Sequence, residues 1–179
     1  MEFTQVSNLN FTISRVTLGT WAIGGWMWGG SDDQLAVETV LEALEKGVTT
    51  IDTAPVYGFG KSEELVGQAV QEFGNRDQIQ LATKFGLEWD DNGNIQRNST
   101  RERILKEVDD SLQRLQTDYI DIYQVHWPDL DTDFAETAET LQELLDSGKI
   151  RAIGVSNFSP EQMDKFQQTA PIHVCQPPY

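Results

Sequence analysis

The sequence predicts a parallel α/β fold, either a (β/α) barrel or an open doubly wound sheet, on three observations. Short apolar, β-rich runs recur at 16–20, 49–54, 79–85, 119–126, 152–156 and 172–176. Between them the apolar residues return every three or four positions, as amphipathic helices require. The strands follow one another at intervals of roughly 20 to 40 residues with a helix in each gap, the spacing of repeated right-handed βαβ units. Their near-continuous apolarity is that of a sheet covered on both faces.

Taken in order, the first dozen residues, with a turn signal at Asn8–Leu9–Asn10, predict a short hairpin ahead of the repeat. The segment after the first strand, LGTWAIGGWMWGGS, lacks the G-x-G-x-x-G fingerprint of a dinucleotide-binding open sheet and so speaks for the barrel. Val37, Val40, Leu41 and Leu44 mark the first helix, and Ile104, Leu105, Val108, Leu112 and Leu115 the third. Helix starts are signalled by an oxygen-bearing cap followed three residues on by Gln or Glu at Ser31/Gln34, Ser99/Glu102, Asp133/Glu136 and Ser159/Gln162. Pro160 suits a first helical position, and Gly47, Gly74 and Gly148 suit helix ends. The polar loop 86–99, with its Asn-Gly turn, reads as a flexible insertion.

Composition narrows the partners. Thirteen Lys and Arg against 29 Asp and Glu leave a net charge of −16 over 179 residues, and 39% of residues are hydrophobic. That is a globular chain, without the basic footprint that nucleic acid or an anionic membrane demands. A single cysteine, Cys175, and no Cys/His cluster predict neither disulfide nor metal site and a reducing, cytoplasmic setting. There is no leader pattern at the N-terminus, and no run approaches the roughly 18 apolar residues of a membrane span.

The polar residues fall at strand ends. Asp52 closes the second strand, Lys84 the third, His126 the fourth, Ser156 and Asn157 the fifth and Gln176 the sixth. In a (β/α) barrel these ends converge on one face, where such folds place their chemistry. Each residue has a plainer explanation: Asp52 as a turn cap, Lys84 reaching to solvent, His126 as a core histidine, Tyr57 as a half-buried aromatic. Together they put a carboxylate, an ammonium, an imidazole and a phenol around one cleft. An ammonium beside a phenol favours the phenolate, and a carboxylate makes a buried ammonium tolerable. Such a set delivers a proton to a carbonyl more naturally than it hydrolyses a bond.

The segments GTWAIGG, IDTAPVYGFGKSEE, ATKFG, YQVHWPD, KIRAIGVSNFS and QPPY together resemble the aldo-keto reductase family, in its order and over essentially the whole chain. GFGKSEE resembles its bacterial-type branch. The resemblance implies a (β/α)8 TIM barrel and the reduction of small aldehydes or ketones with NADPH in preference to NADH. Asp52, Tyr57, Lys84 and His126 match the catalytic tetrad, with Tyr57 as proton donor, Lys84 and Asp52 tuning it, and His126 orienting the carbonyl. Ser156, Asn157 and Gln176 match the residues that hydrogen-bond the nicotinamide carboxamide. Trp21 matches a position near the cofactor, Trp127 and Trp89 are candidates for the cleft wall, and Trp26 and Trp28 read as packing within the first loop. Ser62 and Glu63 read as a helix start, His173 as packing or surface, and Cys175 as pointing away from the cofactor.

A barrel of this kind needs eight strands and about 250 residues. With six strands, residues 1–179 are expected to be one domain truncated at its C-terminus. The resemblance assigns the absent part the seventh and eighth strands, the aromatic that stacks on the nicotinamide and the basic residues for the adenosine phosphates. The first and sixth strands would then be apolar edges that favour association, though nothing in the sequence sets an oligomeric state. The alternative expectations are a cofactor-binding regulatory or redox-sensing subunit of the same fold, or an inactive fragment.

Overall fold

A parallel sheet forms when each strand is followed by a helix whose apolar stripe packs back on it, and that pattern builds most of this chain. The computed structural model describes residues 1–6 and 9–178. It opens with β1 (Phe3–Gln5) and β2 (Thr12–Ser14), paired antiparallel with Phe3 opposite Ser14 and Gln5 opposite Thr12. The expected N-terminal hairpin is therefore present, while its turn signal at Asn8 lies outside the described residues. Then come β3 (Thr17–Gly19), α1 (Asp33–Glu45), β4 (Thr50–Asp52), α2 (Lys61–Phe73) and β5 (Gln80–Phe85). A second hairpin, β6 (Leu87–Trp89) and β7 (Ile95–Arg97), precedes α3 (Arg101–Leu115) and β8 (Ile122–Val125). The chain continues through α4 (Phe134–Asp146), β9 (Ile153–Ser156), α5 (Pro160–Phe166) and β10 (Val174–Gln176).

Six strands, β10-β9-β8-β5-β4-β3 in that order, make one all-parallel sheet curved into a half-barrel. Its outward residues, among them Ile51, Leu81, Tyr123, Ile153 and Val155, meet Val40, Val66, Ile104, Val108 and Leu141 from the helices in the main core. Full burial of such side chains is worth about 1.5–3 kcal/mol each. The inward face is sparser: Ala82, Ile122 and Ala152 pack with Ile13, Phe11, Leu9 and Val174, so the N-terminal hairpin region forms the floor of the half-barrel.

Two predicted helix starts move by one residue. Asp32, not Ser31, caps α1, accepting from Leu35 N at 3.0 Å; both are good caps, and only geometry separates neighbours of the same chemistry. Thr100, not Ser99, sits at the cap of α3, and Ser99 Oγ is buried without a hydrogen-bond partner among the described residues. The first turn of α3 is served instead by Glu136, whose Oε1 accepts from Arg101 N at 2.9 Å. Glu136 is thereby drawn away from the box with Asp133, which caps α4 alone. Ser159 and Gln162 form the full reciprocal box of α5 with Pro160 at its start. Gly47, Gly74 and Gly148 end their helices left-handed as expected. The loop 86–99 is not an irregular insertion: Leu87 to Arg97 pair as a hairpin beside the cleft.

Candidate active site

Strand pleat decides what faces the cleft. Asp52 ends β4 and Lys84 lies near the end of β5, both turned to the interior, and Lys84 is 2% exposed. An ammonium so buried must find partners for all three protons. Lys84 Nζ finds them at Asp52 Oδ2 (2.8 Å), Thr53 O (2.9 Å) and Tyr57 Oη (3.2 Å). Tyr57 Oη accepts from Lys84, which leaves its own O–H free to donate into the cleft.

Tyr57 is placed by backbone contact. Its loop passes so close to the first loop that a Cβ on Gly24 would stand 2.5 Å from Tyr57 C and 2.8 Å from Gly58 N. Gly58 has φ +67°, a left-handed conformation that also favours glycine. Beneath them Ser62 Oγ lies 2.8 Å from Thr20 Oγ1 and 3.0 Å from Thr53 Oγ1. Ser62 and Glu63 thus lie in the first turn of α2 but act as buried ties, Glu63 binding Arg114 Nε at 2.7 Å and Thr83 Oγ1 at 2.6 Å.

His126 follows β8, fixed by its backbone N–H to Phe85 O at 3.0 Å, and meets the Tyr57 ring edge-on at 5.9 Å. Burial and the Lys84 charge push its pKa down to about 3, so the imidazole is neutral across the physiological range. At the ends of β9 and β10, Ser156 Oγ donates to Gln176 O at 3.0 Å. Asn157, at φ +62°, spends its amide hydrogens on His126 O (2.9 Å) and Ser156 Oγ (3.1 Å), and among the described residues no donor reaches its Oδ1.

Tyr57, Lys84, His126, Ser156, Asn157 and Gln176 line one cleft of about 470 Å³, whereas Asp52 lies outside the lining and reaches it only through Lys84. Trp21 stacks on Tyr57 at 6.1 Å, and Trp26 and Trp127 join the wall. Trp89 does not: it packs on Phe59 at 5.4 Å, outside the lining. Val56, Leu87 and Ile95, which no sequence pattern marked, complete the apolar side. Among the described residues the lining contains Lys84 and no carboxylate, although the chain carries 29 acidic residues. Cys175 is exposed and lies outside this lining. Two buried polar groups also went unmarked. Gln124 donates to Asp52 Oδ1 at 3.3 Å. Glu107 holds Arg103 Nε (3.0 Å) and Gly86 N (3.2 Å) at the root of the second hairpin.

A parallel βα half-barrel that gathers a carboxylate, a lysine, a tyrosine and a histidine at the C-terminal ends of its strands has the layout of a barrel enzyme scaffold. The chain belongs to the aldo/keto reductase family, whose profile matches residues 15–179. It is 59% identical over 179 residues to aldo-keto reductase YhdN of Bacillus subtilis, covering 100% of this chain and 54% of that protein. It is 41% identical over 193 residues to the NADH-specific methylglyoxal reductase of Escherichia coli, covering 100% and 59%. The structure of glycerol dehydrogenase AKR11B4 from Gluconobacter oxydans superposes with a TM-score of 0.92 at 52% identity, covering 99% of this chain and 55% of that one. The chain thus spans about half the length of the relatives it matches. Among the described residues no helix is long and apolar enough to cross a membrane.

Proposed function

We propose that the protein reduces aldehydes or ketones to alcohols with a nicotinamide dinucleotide, Tyr57 supplying the proton. The observation that carries this reading is the Lys84 ammonium, whose three protons fix Asp52, the Thr53 carbonyl and Tyr57 in one arrangement. When bound, the cofactor supplies the hydride for the carbonyl carbon. Tyr57 gives its free O–H proton to the carbonyl oxygen, and Lys84 stabilises the negative charge left on the phenol oxygen. Neutral His126 orients the carbonyl by hydrogen bonding without competing as an acid.

The donor set suits the carboxamide end of such a cofactor. Asn157 Oδ1 and the Gln176 carboxamide remain for a planar amide, with Ser156 holding the two in register. Trp21 would lie alongside. NADPH is the cofactor proposed first; the E. coli relative's NADH specificity makes NADH the comparison to run, since the residues here meet the half that both share. An apolar, aromatic wall favours a carbonyl substrate with an apolar body. On this reading residues 1–179 are six strands and five helices of one domain truncated at its C-terminus, acting without nucleic acid or membrane in the cytoplasm.

The test is Tyr57→Phe in the full-length protein. Turnover of a simple aromatic aldehyde should fall by about a thousandfold or more, the scale of losing a positioned acid, while the cofactor dissociation constant stays within about twofold. Unchanged turnover removes Tyr57 as the donor.

A further inference from the structure

Gln124 is a polar residue in the middle of an otherwise apolar strand, 2% exposed. Its neighbours Tyr123 and Val125 turn outward to the main core, so by the pleat Gln124 turns inward with Ile122. In register it stands between Lys84 on β5 and Gly154 on β9. Lys84 and Gln124 therefore lie side by side and reach for the same carboxylate. Lys84 Nζ takes Asp52 Oδ2 at 2.8 Å, and Gln124 Nε2 donates to Oδ1 at 3.3 Å.

Two observations separate this from packing. Gln124 Oε1 is buried with no hydrogen-bond partner among the described residues, a desolvation penalty that an apolar side chain of the same length would avoid. The neighbouring strand also makes room for it: a Cβ on Gly154 would stand 2.6 Å from Gln124 Cγ and 3.2 Å from Oε1. A glycine inside a buried strand forgoes packing, and here the vacated space holds the Gln124 stem.

We propose that Gln124 is a positioning residue of the proton-transfer set, resting on the reading of Tyr57, Lys84 and Asp52 given above: by holding Asp52 Oδ1 it keeps Oδ2 on Lys84. A carboxylate held at one oxygen only can rotate about its terminal torsion, which is broad and soft. Rotation would release Lys84 Nζ from the line that joins it to Tyr57 Oη.

The experiment is a double-mutant cycle on the full-length protein with Gln124→Met, of similar length and without a donor, and Asp52→Asn. Gln124→Met alone should lower kcat about tenfold, the order expected for losing one hydrogen bond to a charged group, with KM for the aldehyde changing less than about twofold. In the Asp52→Asn background the same substitution should cost less than about twofold further, because its route of action is already gone. A merely structural glutamine would lower the denaturation midpoint without this non-additivity, and additive losses overturn the proposal. Gly154→Ala, which displaces the Gln124 stem from the side, should reproduce both the kcat loss and its absence in Asp52→Asn; it keeps the test decisive if Gln124→Met does not fold. If Tyr57→Phe abolishes turnover while Gln124→Met has unaltered kcat, the Gln124 assignment falls and the proton donor stands. If Tyr57→Phe keeps turnover, the reading beneath both falls.

Discussion

Gly24 and Gly58 touch backbone to backbone at the root of the loops that carry Trp21 and Tyr57, and a Cβ on Gly24 would stand 2.8 Å from Gly58 N. Backbone cannot swing aside as a side chain does, so any larger residue at position 24 has to separate the loops.

Gly24→Ala is therefore expected to lower turnover by about a hundredfold, the scale attached to displacing a reacting group by roughly 1 Å. Steady-state kinetics on the full-length protein check this. A variant with ordinary kcat would show that the loops part without moving Tyr57.

His126 makes the fold sensitive to acid. Its folded pKa, about 3, lies below the ordinary 6.5, so the stability it contributes is present above pH 6.5 and is lost as pH falls towards 3. The slope approaches about 1.4 kcal/mol per pH unit within that window. Urea denaturation between pH 7 and 4 should show His126→Gln losing stability less steeply than the parent. Parallel curves would mean that the buried imidazole is not what acid attacks.

Glu107 acts in the opposite direction. Burial, only partly offset by Arg103, raises its pKa from 4.5 to about 7. Its contribution is fully present below pH 4.5 and is lost as pH rises through 7, at most about 3 kcal/mol. Glu107→Gln should flatten that dependence, so that chemical denaturation at pH 5.5 and 8 gives a smaller difference for the variant. An unchanged difference would place the pH dependence elsewhere.

Of the three serines read as helix caps, Ser159 and Ser99 separate cleanly. Ser159 closes a reciprocal box and Ser159→Ala should cost about 1 kcal/mol. Ser99 Oγ is buried without a partner among the described residues, so Ser99→Ala should be neutral or slightly stabilising. Equal losses in thermal denaturation would contradict the cap geometry described for α3.

What could be read from the sequence follows from how local its causes are. The six strands were legible as apolar runs, and the last five also because polar residues out of keeping with the run fall at or near the end, as Lys84 does in ATKFG. The cap of α1 was misplaced because Ser31, Asp32 and Asp33 offer the same oxygen at successive positions. The hairpin of Leu87 to Arg97 was hidden because its alternation is weak and Asn92–Gly93 reads equally as an open loop. Gln124 and Glu107, and the ties that Glu63 makes to Thr83 and Arg114, escaped for another reason: the partners lie 20 or more residues away for all but the Arg103 contact of Glu107. Gln124 did leave a trace, as the one amide inside the run IYQV.

Every neighbour in the six-stranded sheet is also the next or previous strand of the repeat along the chain, apart from the hairpin between β5 and β8. Each strand still pairs across a whole intervening helix, Thr50 with Gln80 and Ala82 with Ile122, so every pairing carries a loop-closure cost before its contacts form. The polar set is written in the same direction: Asp52, Tyr57, Lys84, His126, Asn157, Gln176. A ribosome therefore releases the cleft one wall at a time, each wall docking on the one before it, and the tyrosine leaves the tunnel before the lysine that will hold it.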